Sequence, residues 1–138
     1  MESWILAGAT LFLAYTNGAN DNFKGVATLF GSQSTSFRAA LVWATVTTLA
    51  GSLMALFMAK QLMVLFTGKG LLPEALWQSA DFRLAVLLGA GATVLLATWL
   101  GFPISTTHSL IGALTGIGLV TLGAEFPFHK LGQGFFYP

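Results

Sequence analysis

The chain has 138 residues, of which 55% are hydrophobic and only 8% are charged, and its mean hydropathy is +0.77. A soluble domain carries about a quarter charged residues, so this composition excludes an ordinary soluble protein and indicates a protein surrounded by membrane lipids. A net charge of +1 without a basic run indicates no nucleic-acid partner, and the absence of cysteine excludes disulfides and thiolate chemistry.

The first apolar block, residues 4–31, is interrupted by the polar stretch "AYTNGANDNFKG". Asp21 and Lys24 lie at i and i+3, so on a helix they share a face and can pair. Ionisable groups at membrane depth are costly to insert and usually mark a site or a pathway. Because Gly18 tolerates unusual backbone angles and Asn20 or Asp21 can cap a helix, "NGAND" predicts a helix break. The half-helix that follows would then direct its N-terminus at an oxyanion.

The second block, residues 37–59, predicts a transmembrane helix, because its uncharged core reaches the roughly 20 apolar residues that cross the hydrocarbon. Residues 60–83 contain Gly and Pro breakers and several charges. Apolar pieces of this segment are too short to span, so we expect an interfacial or extramembrane connector.

The third and fourth blocks, residues 84–100 and 110–124, look short for a full crossing and flank "GFPISTTHS". Short hydrophobic segments interrupted by Gly or Pro are typical of transporter sites, where broken helices direct their ends at a ligand. The proline prevents helix continuation. The hydroxyls of Ser105, Thr106 and Thr107 can donate to an anion, or they can cap or bond back to the next helix.

His108 follows these hydroxyls and can either carry a proton or orient the loop through a hydrogen bond. A pair formed by Ser105 and His108 also suggests an intramembrane hydrolase, but the sequence offers no convincing third residue to orient such a pair. We therefore expect no enzyme activity and no catalytic residue. Nothing in the sequence resembles a His-rich metal site, so no cofactor is expected besides a coupling ion.

Together, "NGAND" and "PISTTH" resemble, in this order, the motifs of the inorganic phosphate transporter (PiT) family, which includes sodium- and proton-coupled phosphate permeases and related sulfate permeases. The resemblance covers essentially the whole chain. It implies an all-α membrane protein, a bundle of four to five transmembrane or re-entrant helices with broken helices. It also implies that residues 1–138 are a single transmembrane repeat, the N-terminal half of an inverted-repeat transporter. A second repeat or a homo-oligomer would complete the path.

The resemblance further implies roles for individual residues. The anion site takes Asn20, Asp21, Ser105, Thr106 and Thr107. The coupling-cation site takes Asn17, Asn20, Asp21 and Lys24, with sodium itself at Asn20 and Asp21. Many family members have "GAND-x-A-N" where this chain has "GANDNFK", so Lys24 stands where an amide helps to hold sodium. Its ammonium can replace the bound cation or pair with the anion, and the coupling ion stays open between Na⁺ and H⁺.

We therefore predict a multi-pass integral protein of the cell membrane that acts as a symporter of inorganic phosphate, coupled to sodium or protons. One alternative is a sulfate permease of the same family, and another is a non-transporting membrane subunit that needs a partner half. Phosphate near neutral pH keeps an O–H that can donate to Asp21, whereas sulfate has none and would be repelled by an ionised carboxylate. Lys24 can neutralise Asp21 and thereby admit sulfate.

Overall fold

A computed structural model describes residues 1–58 and 72–135, and the main elements in these ranges are helices. These helices are α1 (Glu2–Asp21), α2 (Ala27–Gly31), α3 (Phe37–Met58), α4 (Glu74–Trp77), α5 (Ala80–Trp99), α6 (Thr106–Leu122) and α7 (Phe128–Phe135). Short 3-10 turns precede α2 and follow α6, at Lys24–Val26 and Gly123–Glu125. The predicted all-α class is confirmed.

Within the described ranges, three helical segments are long and apolar enough to cross a bilayer. They are Phe37–Met58, Ala80–Trp99 and Thr106–Glu125, the last including the 3-10 turn after α6. The predicted multi-pass membrane protein is therefore confirmed, and the last two segments are longer than the sequence suggested.

The beginning of α5 explains why the sequence underestimated the length of this helix. Its N-cap is Ser79, whose hydroxyl accepts a hydrogen bond from the backbone N–H of Phe82 at 3.2 Å. A capped helix accommodates an acidic residue such as Asp81 in its first turn, where the helix dipole favours negative charge. The helix therefore begins four residues before the uncharged block that starts at Leu84.

Helices α1, α5 and α6 form the bundle, with α5 in contact with both of the others. Among the residues that α5 buries, Gly91 faces α1. A Cβ atom at Gly91 would lie 2.6 Å from the ring of Phe12 on α1, so a larger residue would displace that ring. Small residues at such contacts allow membrane helices to approach closely.

The contact between α5 and α6 contains the main apolar core. Phe82 and Val86 of α5 are buried against Leu114 of α6, and Leu72 and Phe126 close this cluster. Leu72 belongs to the predicted connector, residues 60–83, of which residues 60–71 lie outside the described part. The buried side chain of Leu72 packs this part of the predicted connector against the bundle.

Helix α3 is attached mainly through aromatic side chains. The rings of Phe23, Phe30 and Phe37 have centroids 5.3 to 5.9 Å apart and connect the segment after α1 with the start of α3. Only Ala40 and Ala44 of α3 are buried. Most of α3 thus presents an apolar surface, as a lipid-facing helix does.

The break predicted at "NGAND" occurs later in the chain. Helix α1 continues through Gly18 and ends at Asp21, and a 3-10 turn follows from Lys24. Glycine costs a helix interior about 1 kcal/mol, and the packing of α1 on α5 offsets this cost. The prediction that Asn20 or Asp21 caps a following half-helix was wrong, because both lie in the last turn of α1. This end of a helix favours a cation rather than an oxyanion.

The second break lies where the sequence predicted it. Helix α5 ends at Trp99, and Gly101 has a φ of 77°, which glycine adopts without strain. The backbone N–H groups of Gly101 and Phe102 donate to carbonyls of the last turn of α5, at 3.1 and 2.8 Å. These two bonds form a Schellman motif. Pro103 then separates this end from α6, which begins at Thr106.

Candidate functional site

The two broken stretches meet at one open pocket with a volume of about 700 Å³. It is lined by Asn17, Asp21, Lys24, Pro103, Ile104, Ser105, Thr106, Thr107 and Leu110. Six of the predicted site residues are among them, and Asn20 and His108 are not. The C-terminal end of α1 and the N-terminal end of α6 therefore line the same polar pocket.

Asn20 lies behind this pocket and joins its two sides. Its side-chain nitrogen donates to Thr98 Oγ1 at 2.8 Å and to the carbonyl of Phe102 at 3.3 Å. Its side-chain oxygen accepts from Lys24 Nζ at 2.6 Å and from the backbone N–H of Ile104 at 3.3 Å. An asparagine amide has two N–H donors and two acceptor lone pairs. All four are used within the protein, so Asn20 holds the loop after α5 against the end of α1.

Lys24 points its ammonium group at three oxygen atoms. Nζ donates to Asp21 Oδ1 at 2.5 Å, to Asn20 Oδ1 at 2.6 Å and to the backbone carbonyl of Ile104 at 2.8 Å. An ammonium has three N–H donors, and each has an acceptor here. Of the two roles left open for Lys24, the contacts favour replacement of a cation over direct pairing with an anion.

The three hydroxyl side chains at residues 105–107 differ in the hydrogen bonds that they make. Ser105 is the N-cap of α6, and its Oγ accepts from the backbone N–H of His108 at 3.4 Å. Thr106 Oγ1 donates to Asn17 Oδ1 at 2.5 Å and so connects α6 with α1. Thr107 is exposed, lines the pocket and makes no side-chain hydrogen bond to another described residue. Its hydroxyl is therefore the most available donor beside the N-terminus of α6.

His108 faces a different cavity. Its ring lines a space of about 380 Å³ between α5 and α6, next to Thr93 and Ser109, and its Nδ1 lies 2.9 Å from Ser105 Oγ. This contact favours the loop-orienting role. A serine nucleophile needs a base that a third group orients, and within the described ranges no carboxylate is hydrogen-bonded to His108.

The sequence interpretation missed two residues that build the site. Thr98 accepts from Asn20 and donates to the carbonyl of Val94 at 2.8 Å. Ile104 supplies a backbone N–H to Asn20 and a carbonyl to Lys24. Thr98 was detectable as a polar residue in the last turn of an apolar block. Ile104 acts through its backbone, which carries no side-chain signal.

A family model and several known proteins are similar to this chain, and the three relatives described here are named as phosphate transporters or permeases. The model of a family described as the phosphate transporter family matches residues 17–133. The chain is 32% identical over 137 residues to inorganic phosphate transporter 2-1, chloroplastic, of Arabidopsis thaliana, covering 93% of this chain and 23% of that protein. It is 29% identical over 135 residues to a putative phosphate permease of Haemophilus influenzae, covering 94% and 31%. It is 38% identical over 133 residues to a sodium-dependent phosphate transporter of Toxoplasma gondii, covering 86% and 14%.

No solved structure matches the chain. The chain spans less than a third of the length of each of these three relatives. The family match begins at Asn17, in the first broken stretch, and extends beyond the second, so it includes every residue that lines the pocket. On this match the chain belongs to the phosphate transporter family.

Proposed function

We propose that this chain is one repeat of a secondary active transporter that carries inorganic phosphate across a membrane together with a coupling ion. The observation that supports this proposal is the single pocket at which both broken stretches meet. The names of the relatives, which are phosphate transporters and permeases, agree with it. Because those proteins are much longer, the transporter as a whole is part of the proposal.

The pocket joins two helix ends of opposite polarity. The C-terminal end of α1 carries Asp21 and is followed by Lys24, whereas the N-terminus of α6 carries Thr106 and Thr107. The free N–H groups of a helix N-terminus attract an anion. We place the phosphate there, with Thr107 as a donor, Ser105 and Thr106 holding the helix end, and Asn20 positioning the loop.

Asp21 is the residue that we expect to discriminate between phosphate and sulfate. Its Oδ1 accepts from Lys24, and we assign its second oxygen to the O–H that phosphate retains near neutral pH. Sulfate lacks such a donor, so the carboxylate disfavours it. The ion pair with Lys24 weakens this repulsion, and sulfate therefore remains the second candidate substrate.

The open pocket also requires a second part. The side chains of Asp21 and Lys24 are 38% and 40% exposed, and charged groups that face hydrocarbon are costly even when they are paired. We propose that a second repeat, or a second copy of the chain, covers the pocket and completes the path. Residues 60–83 were predicted as the connector within this repeat, and because α5 begins at Ala80 we propose that the connector ends at residue 79; no residue is assigned a catalytic role.

Uptake into liposomes tests the proposed function. The protein is reconstituted in its native assembly, and uptake of labelled phosphate and labelled sulfate is compared with that of protein-free liposomes. We expect phosphate to accumulate and unlabelled phosphate to compete better than sulfate, because only phosphate donates to Asp21. Uptake of neither anion would indicate a non-transporting subunit, and sulfate uptake insensitive to phosphate would indicate a sulfate permease. Either result contradicts the proposal.

A further inference from the structure

We infer that the Lys24 ammonium is a built-in cation that fills an oxygen site suited to a sodium ion, so that this repeat binds no sodium there. The inferred site follows from the contacts of Lys24. Its consequence for ion coupling rests on the proposed transport function. Sodium binding at these oxygens can be measured on the folded protein without transport, whereas its consequence for ion coupling is measured by uptake.

The three acceptors around Nζ are of the kinds that bind hard metal cations. They are a carboxylate oxygen of Asp21, an amide oxygen of Asn20 and the backbone carbonyl of Ile104, at 2.5 to 2.8 Å from the nitrogen. Transporters coordinate sodium with carbonyls of unwound backbone and with helix C-terminal ends. Ile104 lies in the unwound segment between α5 and α6, and Asp21 ends α1.

Chain geometry explains why only a long side chain reaches this place. Lys24 lies three positions after Asp21 and four after Asn20, the separations at which helical neighbours share a face. Its Nζ also crosses to Ile104, 80 positions away in sequence. A shorter amide at position 24 would leave a gap among these oxygens, and that gap would be open to a metal ion.

Charge explains why the lysine and a sodium ion exclude each other. The ammonium balances the carboxylate of Asp21, so a sodium ion at the same oxygens would place two positive charges against one negative charge. The three N–H groups also occupy the lone pairs that the metal would need. Because the ammonium is covalently attached, its charge stays in the pocket throughout transport and draws nothing from a sodium gradient at this position.

Lys24→Met tests the inference, since methionine keeps much of the apolar stem and removes the ammonium. We expect sodium chloride to raise the Tm of the purified variant by about 4 °C over choline chloride of equal ionic strength, at a sodium concentration of about ten times its Kd. The unaltered protein should show no difference between the two salts. Lys130→Met, which removes an exposed lysine outside the pocket, should behave like the unaltered protein.

Two further variants keep the test decisive. Lys24→Asn also vacates the oxygens and serves if Lys24→Met does not fold. The double variant with Asp21→Asn and Lys24→Met lacks the carboxylate ligand, so its response to sodium should disappear. A sodium response of the unaltered protein equal to that of Lys24→Met overturns the inference. So does the absence of a response in both folded position-24 variants.

Phosphate uptake in the same preparations separates this inference from the proposed function. Stabilisation of Lys24→Met by sodium, combined with no phosphate uptake by the unaltered protein, supports the vacated cation site and contradicts phosphate transport. Phosphate uptake with equal dependence on sodium in the unaltered protein and in Lys24→Asn supports transport and contradicts the built-in cation.

Discussion

Asp21→Asn is expected to lower phosphate uptake at least about tenfold, equivalent to about 1.4 kcal/mol of lost interaction, while membrane insertion is unchanged. Among the described residues that line the pocket, Asp21 is the only acid. Asparagine keeps one acceptor oxygen but replaces the other with an NH2 donor and carries no negative charge, so it cannot hold Lys24 and still offer a carboxylate oxygen to the phosphate O–H, and it cannot take up a coupling proton. Removing a charge from a membrane segment does not hinder insertion. Uptake rate and the amount of protein in the membrane are the two measurements.

The same variant should lose discrimination between anions. Without its carboxylate the pocket retains the positive charge of Lys24, so labelled phosphate binding should become more sensitive to competing sulfate. Asp81→Asn, which changes a carboxylate in the first turn of α5 outside the pocket, is the matched control and should leave both properties unchanged. Undiminished coupled uptake by Asp21→Asn would remove Asp21 from the site.

Asn20→Ala is expected to abolish uptake and to lower the free energy of unfolding by about 2 kcal/mol. The substitution removes four hydrogen bonds: two to the segment after α5, at Phe102 and Ile104, one to Thr98 in the last turn of α5, and one from Lys24. Each is worth about 1 kcal/mol, and the open position of the pocket lets water replace some of them. Thermal unfolding and phosphate uptake are measured on the same purified variant.

Asn22→Ala provides the control for that substitution. Asn22 has the same side chain and follows Asn20 closely, but it donates to Thr45 Oγ1 on α3 at 3.1 Å and does not line the pocket. We expect a smaller loss of stability, within about 1 kcal/mol, and retained uptake. Equal effects of the two substitutions would show that Asn20 does not hold the pocket together.

Local chemistry made the second break predictable from the sequence. Gly101 and Pro103 determine the backbone wherever the chain lies, one through its positive φ and the other through its missing N–H. The first break was misplaced because Gly18 is compatible with both a break and a helix. Contact between α1 and α5 decides between them, and that contact involves residues far apart in sequence, such as Phe12 and Gly91.

Six of the eight residues predicted for the candidate site line the pocket, but the contacts that each of them makes could not be predicted. The family motifs point to Asp21 and Thr107, and both line the pocket. They do not reveal that the Asn20 amide is fully bonded, since Ile104 and Phe102 contribute only backbone groups to it. Burial and partners of a polar group depend on the three-dimensional arrangement, which no spacing rule supplies.

Protection of a single thiol tests most directly whether the anion binds between the two stretches. The chain contains no cysteine, so Thr107→Cys places one reactive group in the pocket, and Ser34→Cys places one in the exposed turn before α3. At about ten times the Kd of the variant, phosphate should slow the reaction of a water-soluble thiol reagent with Thr107→Cys about tenfold. Sulfate at the same concentration should slow it less, and Ser34→Cys should react at the same rate with and without phosphate. Equal reaction rates of Thr107→Cys with and without phosphate would contradict an anion site in this pocket.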